Sequence, residues 1–554
     1  MRADDPSTAE SHTTPLYGAT IAETDQRAAL TGGDVPVAVY GLGKMGLPLA
    51  AVYAETTGNV TGVDVDPDVV ETINAGESHV VGEPGLGDVV AEQVEQGCLE
   101  ATTDGSAAAA QARIHVIIVP TLLDEDNEPD LTTVESVAAD IAAGLSPGDL
   151  VIAESTLPPG TCRDVLQPFL AAESGLDTDQ FGLAFCPERT SSGRALQDIR
   201  GAYPKVVGGV DDESTRAATV LYDELSDNEV HPVADATTAE AVKVFEGIYR
   251  DVNIGLANEL GRLADELDIS VREAIETAND LPMCQLHDPG PGVGGHCIPY
   301  YPHFLLSRMD EPMDLTRTAR RVNQDMPSVV VDRLESELVA VGSGIGTETE
   351  TGTNLADVSV AVLGITYRPG VEETRASPAI GVIEQLRDRG ADVLGVDPLV
   401  DPADYGAQPC SIDAFESSSV DAAVVVTPHE EFDDIDWSAL DPTVVIDGRD
   451  ALDQGVLESA GHRVYTLAGS TAGQPPAAGT DAFTTDDAGR RNASSEEDDG
   501  PTEAVIEATG DGGHGGGDGD DDGDGGGDAD GGRAGTSERA TDAAVNRTDG
   551  GTDV

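Results

Sequence analysis

Residues 35–48 read VPVAVYGLGKMGLP: an apolar strand, VAVY, runs directly into Gly41-Leu42-Gly43-Lys44-Met45-Gly46 and then into a helix. The three glycines have separate physical tasks. Gly41 permits the tight turn, Gly43 lets backbone amides approach a pyrophosphate, and Gly46 lets the helix pack against the strand. Lys44 and Met45 lie inside the same loop. Alone, such a loop is a weak sign. Here Asp64 stands at the end of the next apolar run, 23 residues after Gly41. A carboxylate there accepts from both ribose hydroxyls and repels a 2′-phosphate, which favours NAD over NADP. This segment is expected to bind a dinucleotide.

Outward from the loop, short apolar runs alternate with helix-like segments as far as Gly209: NVTGVDVD, IHVIIVP, DLVIAES and FGLAFCPE. That alternation predicts a parallel, doubly wound sheet. Residues 213–282 show no strand signal and read as helices, notably Thr238–Leu267, and a Gly/Pro cluster follows at 289–302. A second strand–helix–strand unit begins at VSVAVLG (358–364), passes through a helix near 378–390, and continues through DVLGVDP, AAVVVT and TVVIDGR. The expected fold is α/β, with two Rossmann-like doubly wound parallel-sheet domains joined by a central helical domain. The expected boundaries are a loose polar arm over 1–33, the first sheet domain over 34–212, and the helical domain with the Gly/Pro loop over 213–325. The second sheet domain spans 326–472, and a disordered acidic Gly/Asp-rich tail spans 473–554. In that tail Asp518, Asp520, Asp522 and Gly523 imitate a calcium loop, but the twelfth position is Ala529, so no metal site is expected.

The 554-residue chain carries 104 acids against 30 bases, a formal net charge of -74. The tail does not explain this: residues 473–554 hold 21 acids and 5 bases, leaving -58 on the rest. Nucleic acid and anionic membranes are therefore excluded as partners by repulsion. Only Lys44, Lys205 and Lys243 are lysines. An acidic, lysine-poor surface suits molar intracellular salt, where screening removes self-repulsion, so a halophile's cytoplasmic protein is expected. Six scattered cysteines without a CxxC pair fit a reducing compartment. No apolar run approaches 18 residues, and the first residues lack an apolar signal core, so neither a membrane span nor a leader is expected.

Pro289-Gly-Pro-Gly-Val-Gly-Gly-His-Cys297-Ile-Pro299 is the most distinctive stretch. Its glycines free the backbone to bend around a ligand and leave amides for an anion beside a thiol, which makes Cys297 a candidate nucleophile. His296 is a weaker candidate for its base, because adjacent side chains usually point apart. Lys243 survives in a chain that otherwise uses arginine, which suggests a need for a compact ammonium facing an oxyanion. The second unit has Gly364-Ile-Thr-Tyr-Arg368-Pro-Gly370 at its first turn. An arginine replaces the close-approach glycine, so a second NAD is not expected there. Arg368, Arg375 and Arg449 at strand ends suit the diphosphate of another ligand.

Together, GLGKMGLP, GVDVDP, INAGESHVVGEPGL, ESTLPPGT, CPER, AEAVK…YRDVN…ANEL, PGVGGHCIP and ITYRPGVEETRASP resemble the UDP-glucose/GDP-mannose dehydrogenase family, over residues 35 to about 470. CPER (186–189), RDVN (250–253) and GPGVGGHC (290–297) look most like the branch acting on UDP-N-acetylhexosamines, especially UDP-N-acetyl-D-mannosamine. The resemblance implies a four-electron oxidation of the sugar C6 alcohol with two NAD per sugar. UDP-N-acetylglucosamine and UDP-glucose are the alternative substrates. Cys297 matches the nucleophile of a thiohemiacetal and thioester route. Lys243 matches the lysine that stabilises oxyanions, and Glu188 the glutamate that handles protons during hydrolysis. Thr156 falls beside the nicotinamide. Arg250, Asn253, Gly294, Arg368 and Arg449 fall on substrate-contacting positions. A dimer built on a long central helix, and a role in surface glycans, are implied as well. Three positions depart from the family pattern: Tyr301 stands for an aspartate four residues after the cysteine, Gly247 for an asparagine four residues after the lysine, and Ser192 for a second glutamate.

Overall fold

The structure, a computed structural model, describes residues 15–190, 193–342, 355–356 and 358–469. The expectations placed on Ser192, on residues 1–14 and on the tail with its calcium-loop decoy lie outside the described residues.

The first sheet contains β1 Val37–Tyr40, β2 Val60–Val63, β3 Leu99–Thr102 and β4 Ile114–Ile117. After a small antiparallel ribbon, β5 Leu122–Leu123 with β6 Pro129–Asp130, it continues with β7 Leu150–Ala153, β8 Gly182–Phe185, β9 Lys205–Gly209 and β10 Val230–Pro232. The strand order is β10-β9-β8-β7-β4-β1-β2-β3. β1, β4, β7 and β8 are buried on both faces, which is why they read as apolar runs rather than as alternation, interrupted only by His115 in β4, which pairs with the buried Asp149. Chain order reverses between β1 and β4, and the crevice at their carboxyl ends is the natural ligand position of such a sheet.

Four expectations need correction. β8 and β9 pair antiparallel, so the sheet is not wholly parallel. β10 pairs with β9, so the first sheet runs beyond residue 212, and 213–282 is not free of strands. An edge strand of three residues containing a histidine and a proline carries too little apolar signal to be seen. The arm is not loose over its described part: α1 Glu23–Thr31 and the pair Leu16–Tyr17 bury Leu16, Tyr17 and Leu30 in the first core. Arg216 donates to the Leu16 carbonyl at 2.7 Å, which ties this segment down. Finally, the helix expected over 238–267 breaks at Arg262–Leu263 into two pieces.

The second sheet contains β11 Ser359–Leu363, β12 Asp392–Val396, β13 Gln408–Pro409, β14 Ala422–Val425, β15 Val444–Asp447 and β16 Arg463–Thr466, in the order β13-β12-β11-β14-β15-β16. All of its pairs are parallel. Among the described residues α2 Gly46–Thr57 follows β1, and α3 Ala236–Gly261, α4 Cys297–Leu306 and α5 Asp314–Ala340 run in the chain between the two sheets. α3 starts at Asp235, whose side chain accepts from the Thr238 amide. At 26 residues it spans about 39 Å. Gly255 lets α5 approach it closely, a Cβ there meeting Ala319 at 3.0 Å. α5 then carries Met326, Val330, Val331, Leu334 and Leu338 into the second core. α3, packed on β8 and β9, and α5, packed on α3 and in the second core, thus join the two halves.

Candidate active site

The glycine loop has the backbone geometry that its spacing implies. Gly41 has φ +96°, and a Cβ there would meet the Ile118 carbonyl at 2.6 Å. A Cβ on Gly46 would fall 1.9 Å from the Gly41 carbonyl, so the first turn of α2 packs on the loop itself. At Gly43 a Cβ would meet nothing, which leaves the approach that a pyrophosphate needs. Asp64 takes the Leu42 amide at 2.8 Å and the Asp66 amide at 3.0 Å, and so stands at the carboxyl ends of β1 and β2. Met45 precedes α2 and accepts from Thr190 at 2.9 Å, while Lys44 reaches the Glu372 carbonyl at 3.4 Å. These residues fit NAD: open backbone where phosphates pass, a carboxylate where ribose hydroxyls fall.

Around Cys297 three segments converge. Cys297 and Tyr301 lie one turn apart on α4, and Lys243 and Gly247 one turn apart on α3, so each pair shares a helix face. The Lys243 ammonium donates to the Glu188 carbonyl and lies 5.7 Å from the centre of the Tyr301 ring. Tyr301 and Thr156, in the loop after β7, join hydroxyls at 3.0 Å. Cys297 is exposed to the cleft, yet the surrounding protein still costs its thiolate hydration. Against that burial, hydrogen bonds from His296 and Tyr301 and the Lys243 charge bring the thiol down to about 7. His296 was expected to point away. Its Nε2 donates to the Thr121 carbonyl at 2.9 Å, and the ring lies near enough to the sulfur to favour the thiolate.

Burial lowers the Lys243 ammonium below the usual lysine range, opposed by Cys297 and Glu188. Burial alone would raise the Glu188 carboxyl. Lys205 at 3.5 Å, Lys243, and the Arg189 and Thr190 amides at 2.6 and 2.8 Å hold it below the ordinary range instead. Glu188 is therefore held in its carboxylate form at neutral pH.

Several structural supports were not legible in the sequence. Lys205 bonds the buried Glu154 at 2.7 Å, and Tyr53 and Tyr222 close the network on the same carboxylate. Glu240, on α3, accepts the Gly160 and Cys162 amides and so pins the loop that carries Thr156. Burial lifts this carboxyl to about 7, with those amides opposing. Asn258 receives the Gly290 amide at 2.8 Å and donates to Asn323 at 2.9 Å.

The Gly/Pro loop corrects one expectation. The Gly290 and Gly295 amides are already taken, by Asn258 and by the Arg375 carbonyl. Its close approaches are to protein. A Cβ on Gly290 would meet the Arg449 guanidinium at 2.5 Å, and one on Gly294 would meet Tyr367 at 2.7 Å. The glycines therefore let the second sheet domain sit against the loop, rather than offering every amide to an anion. Asn253 is also occupied: it donates to the Gln285 carbonyl at 2.7 Å and accepts the His287 amide at 2.8 Å, bracing the approach to the loop. Arg250 and Arg368 are exposed, on α3 and on the turn after β11. Arg375 lies 3.7 Å from Glu373. Burial lowers Arg449 to about 10, reinforced by the Arg272 cation beside it and opposed by Asp288. Two neighbouring guanidiniums, Arg449 after β15 and Arg272 in the first turn of the helix Val271–Asn279, suit a dianionic ligand.

The three family descriptions that match the chain follow its architecture. They belong to the UDP-glucose/GDP-mannose dehydrogenase family: its NAD binding domain matches residues 35–226, its central domain 237–325, and its UDP binding domain 361–454. A Pyrococcus horikoshii protein named UDP-N-acetyl-D-mannosamine dehydrogenase is 35% identical over 428 residues, covering 75% of this chain and 96% of its own length. A Ralstonia nicotianae protein named NDP-N-acetyl-D-galactosaminuronic acid dehydrogenase is 35% identical over 425 residues, covering 74% and 95%. A solved structure of UDP-D-ManNAc dehydrogenase from Pyrococcus horikoshii superposes with a TM-score of 0.71 at 32% identity, covering 78% of this chain and 99% of that one. Among the described residues no helix is long and apolar enough to cross a membrane.

Proposed function

Because this chain belongs to the UDP-glucose/GDP-mannose dehydrogenase family and is an NAD-dependent oxidoreductase, we propose that it oxidises the C6 alcohol of UDP-N-acetyl-D-mannosamine to the carboxylate. The observation that carries this reading is the lowered Cys297 thiol beside Lys243, at the carboxyl edge of a dinucleotide-binding sheet. NAD, when bound, accepts a hydride from C6, and two are consumed for the four electrons. The protein's own groups have separate parts. Lys243 stabilises the alkoxide that develops at the C6 oxygen. The Cys297 sulfur adds to the aldehyde carbon to give a thiohemiacetal, and its oxidation leaves a thioester. Glu188, kept ionised, takes a proton from the water that attacks the thioester, and the thiolate leaves. Arg449 and Arg368 hold the UDP end.

Two further parts of the reading concern context. The net charge of -74 with three lysines supports a halophile's cytoplasm as the working medium. Phe245, Tyr249 and Leu256 lie exposed along α3, an apolar stripe that supports a homodimer built on that helix.

The test is NADH release from the purified protein in molar KCl, with UDP-N-acetyl-D-mannosamine, UDP-N-acetylglucosamine and UDP-glucose offered separately. Two NADH per UDP-N-acetyl-D-mannosamine are expected. A Cys297→Ala variant that still formed two NADH per sugar would end the thioester route, and preference for another sugar would end the substrate assignment.

A further inference from the structure

Two of the positions that depart from the family pattern meet in space. Gly247 lies one helical turn after Lys243 on α3, and Tyr301 one turn after Cys297 on α4. A Cβ placed on Gly247 would lie 2.3 Å from the Tyr301 Cδ2, 2.9 Å from its Cβ and 3.0 Å from its Cγ. The ring therefore occupies the volume that any side chain at 247 would need. It is held there: Tyr301 is 4% exposed, its ring packs on Phe304 at 5.7 Å between centroids, and its hydroxyl meets Thr156 at 3.0 Å. The Lys243 ammonium faces the same ring.

We propose that Gly247 and Tyr301 are a matched pair: the missing side chain at 247 opens a slot for the Tyr301 ring, whose hydroxyl links Thr156 to the Cys297 sulfur and makes Tyr301 a positioning residue for the nucleophile. The proposal rests on the reading of Cys297 as that nucleophile. Its chemistry differs from that of a carboxylate. An aspartate at 301 places a negative charge beside the thiolate and disfavours it, whereas a neutral phenol donates to the sulfur and favours it. Burial, and then the Cys297 charge, push the Tyr301 phenol well above its ordinary value, so it stays protonated and remains a donor. Thr156 then donates to the Tyr301 oxygen, and each hydroxyl hydrogen has one acceptor.

The titratable groups facing the Cys297 sulfur are His296 before it, Lys243 on α3, Tyr301 on its own helix, and Tyr367 from the second sheet domain. The first test is the pH dependence of iodoacetamide alkylation of Cys297, read by mass spectrometry of its peptide in full-length wild type, Tyr301→Phe and Gly247→Ala. This readout needs no turnover, so it separates a failure of this pairing from a failure of the proposed reaction. In Tyr301→Phe the alkylation midpoint should rise from about 7 by about one pH unit, with the acid limb of kcat/KM moving alike. An unmoved midpoint overturns the hydroxyl's role. Gly247→Ala should also raise the midpoint, because the ring is displaced. The second test is the swap. Gly247→Asn alone should lose at least about tenfold in kcat/KM, and adding Tyr301→Asp should recover most of that loss. If the single Gly247→Asn variant matches wild type, or if the second change adds its own loss, the pair is not matched and the proposal fails.

Discussion

The two sheet domains share one topology and put it to different use. The order β3-β2-β1-β4-β7-β8 in the first is repeated as β13-β12-β11-β14-β15-β16 in the second. In both, the first strand ends in a positive-φ glycine, Gly41 at +96° and Gly364 at +83°. In both, an aspartate at the end of the second strand takes amides of that turn: Asp64 from Leu42, and Asp397 from Ile365 and Thr366. The difference begins one step further on. After Gly41 the close-approach position is Gly43, open to a ligand, whereas after Gly364 stand Tyr367, packed on Gly294, and Arg368. Asp397 is also drawn inward. The Leu399 and Val400 amides and the His429 ring, at 3.3 Å, add to its donors. Burial opposes its charge, yet His429 and the amides hold its carboxyl down to about 2. The comparison teaches that the turn and its aspartate are scaffolding common to both halves. What makes one a dinucleotide site is an unfilled approach and a carboxylate with accepting capacity left over.

Breaking the open approach should have the largest effect. Gly43→Val has room in the protein and should leave the thermal midpoint unchanged, yet weaken NAD binding by about 100-fold, about 2.7 kcal/mol, in a titration calorimeter. An unaltered NAD affinity would remove Gly43 from the phosphate path. Next is the inward aspartate. Asp397→Asn should cost about 2 kcal/mol of stability at pH 7 without changing NAD affinity. The sign follows from a folded pKa below the unfolded one: the contribution is complete above about pH 4 and is lost as pH falls toward 2. Urea midpoints of the two proteins should accordingly converge on acidification, and a gap that is constant across pH would refute the charge argument. Arg449→Ala should raise KM for the UDP-sugar about tenfold, about 1.4 kcal/mol, while the NAD constant stays put. Equal losses for both ligands would mean that the halves are not divided as argued. The smallest change is expected from Asp64→Asn, which should narrow the preference for NAD over NADP by about threefold to tenfold, measured as the ratio of their kcat/KM values.

Much of this was legible before any coordinates, for a physical reason. Strands buried on both faces must be largely apolar, so VAVY, LVIA and AAVV declare themselves, as does IHVI despite its His115. Short edge strands, such as Val230–Pro232 and Gln408–Pro409, are half-exposed or exposed and declare nothing. Residues 15–33 read as loose because their few apolar positions, Leu16, Tyr17 and Leu30, are separated by polar ones and meet only in the folded core. The candidate site divides in the same way. Cys297, Lys243, Asp64 and the glycine loop have chemistry or spacing that marks them locally. Glu240, Asn258 and Lys205 act by reaching backbone or carboxylates far along the chain, as when Glu240 takes the Gly160 amide 80 residues away.

The two doubly wound halves, the dinucleotide loop and the candidate reactive groups are thus legible in the sequence alone, because each is written in local periodicity, glycine spacing or side-chain type. Packing in three dimensions alone settles that His296 reaches the Thr121 carbonyl, that the Gly/Pro loop spends its glycines on Arg449 and Tyr367, and that Gly247 faces Tyr301. Those facts depend on how α3, α4 and the second sheet domain pack, and packing between distant segments leaves no periodic trace along the chain.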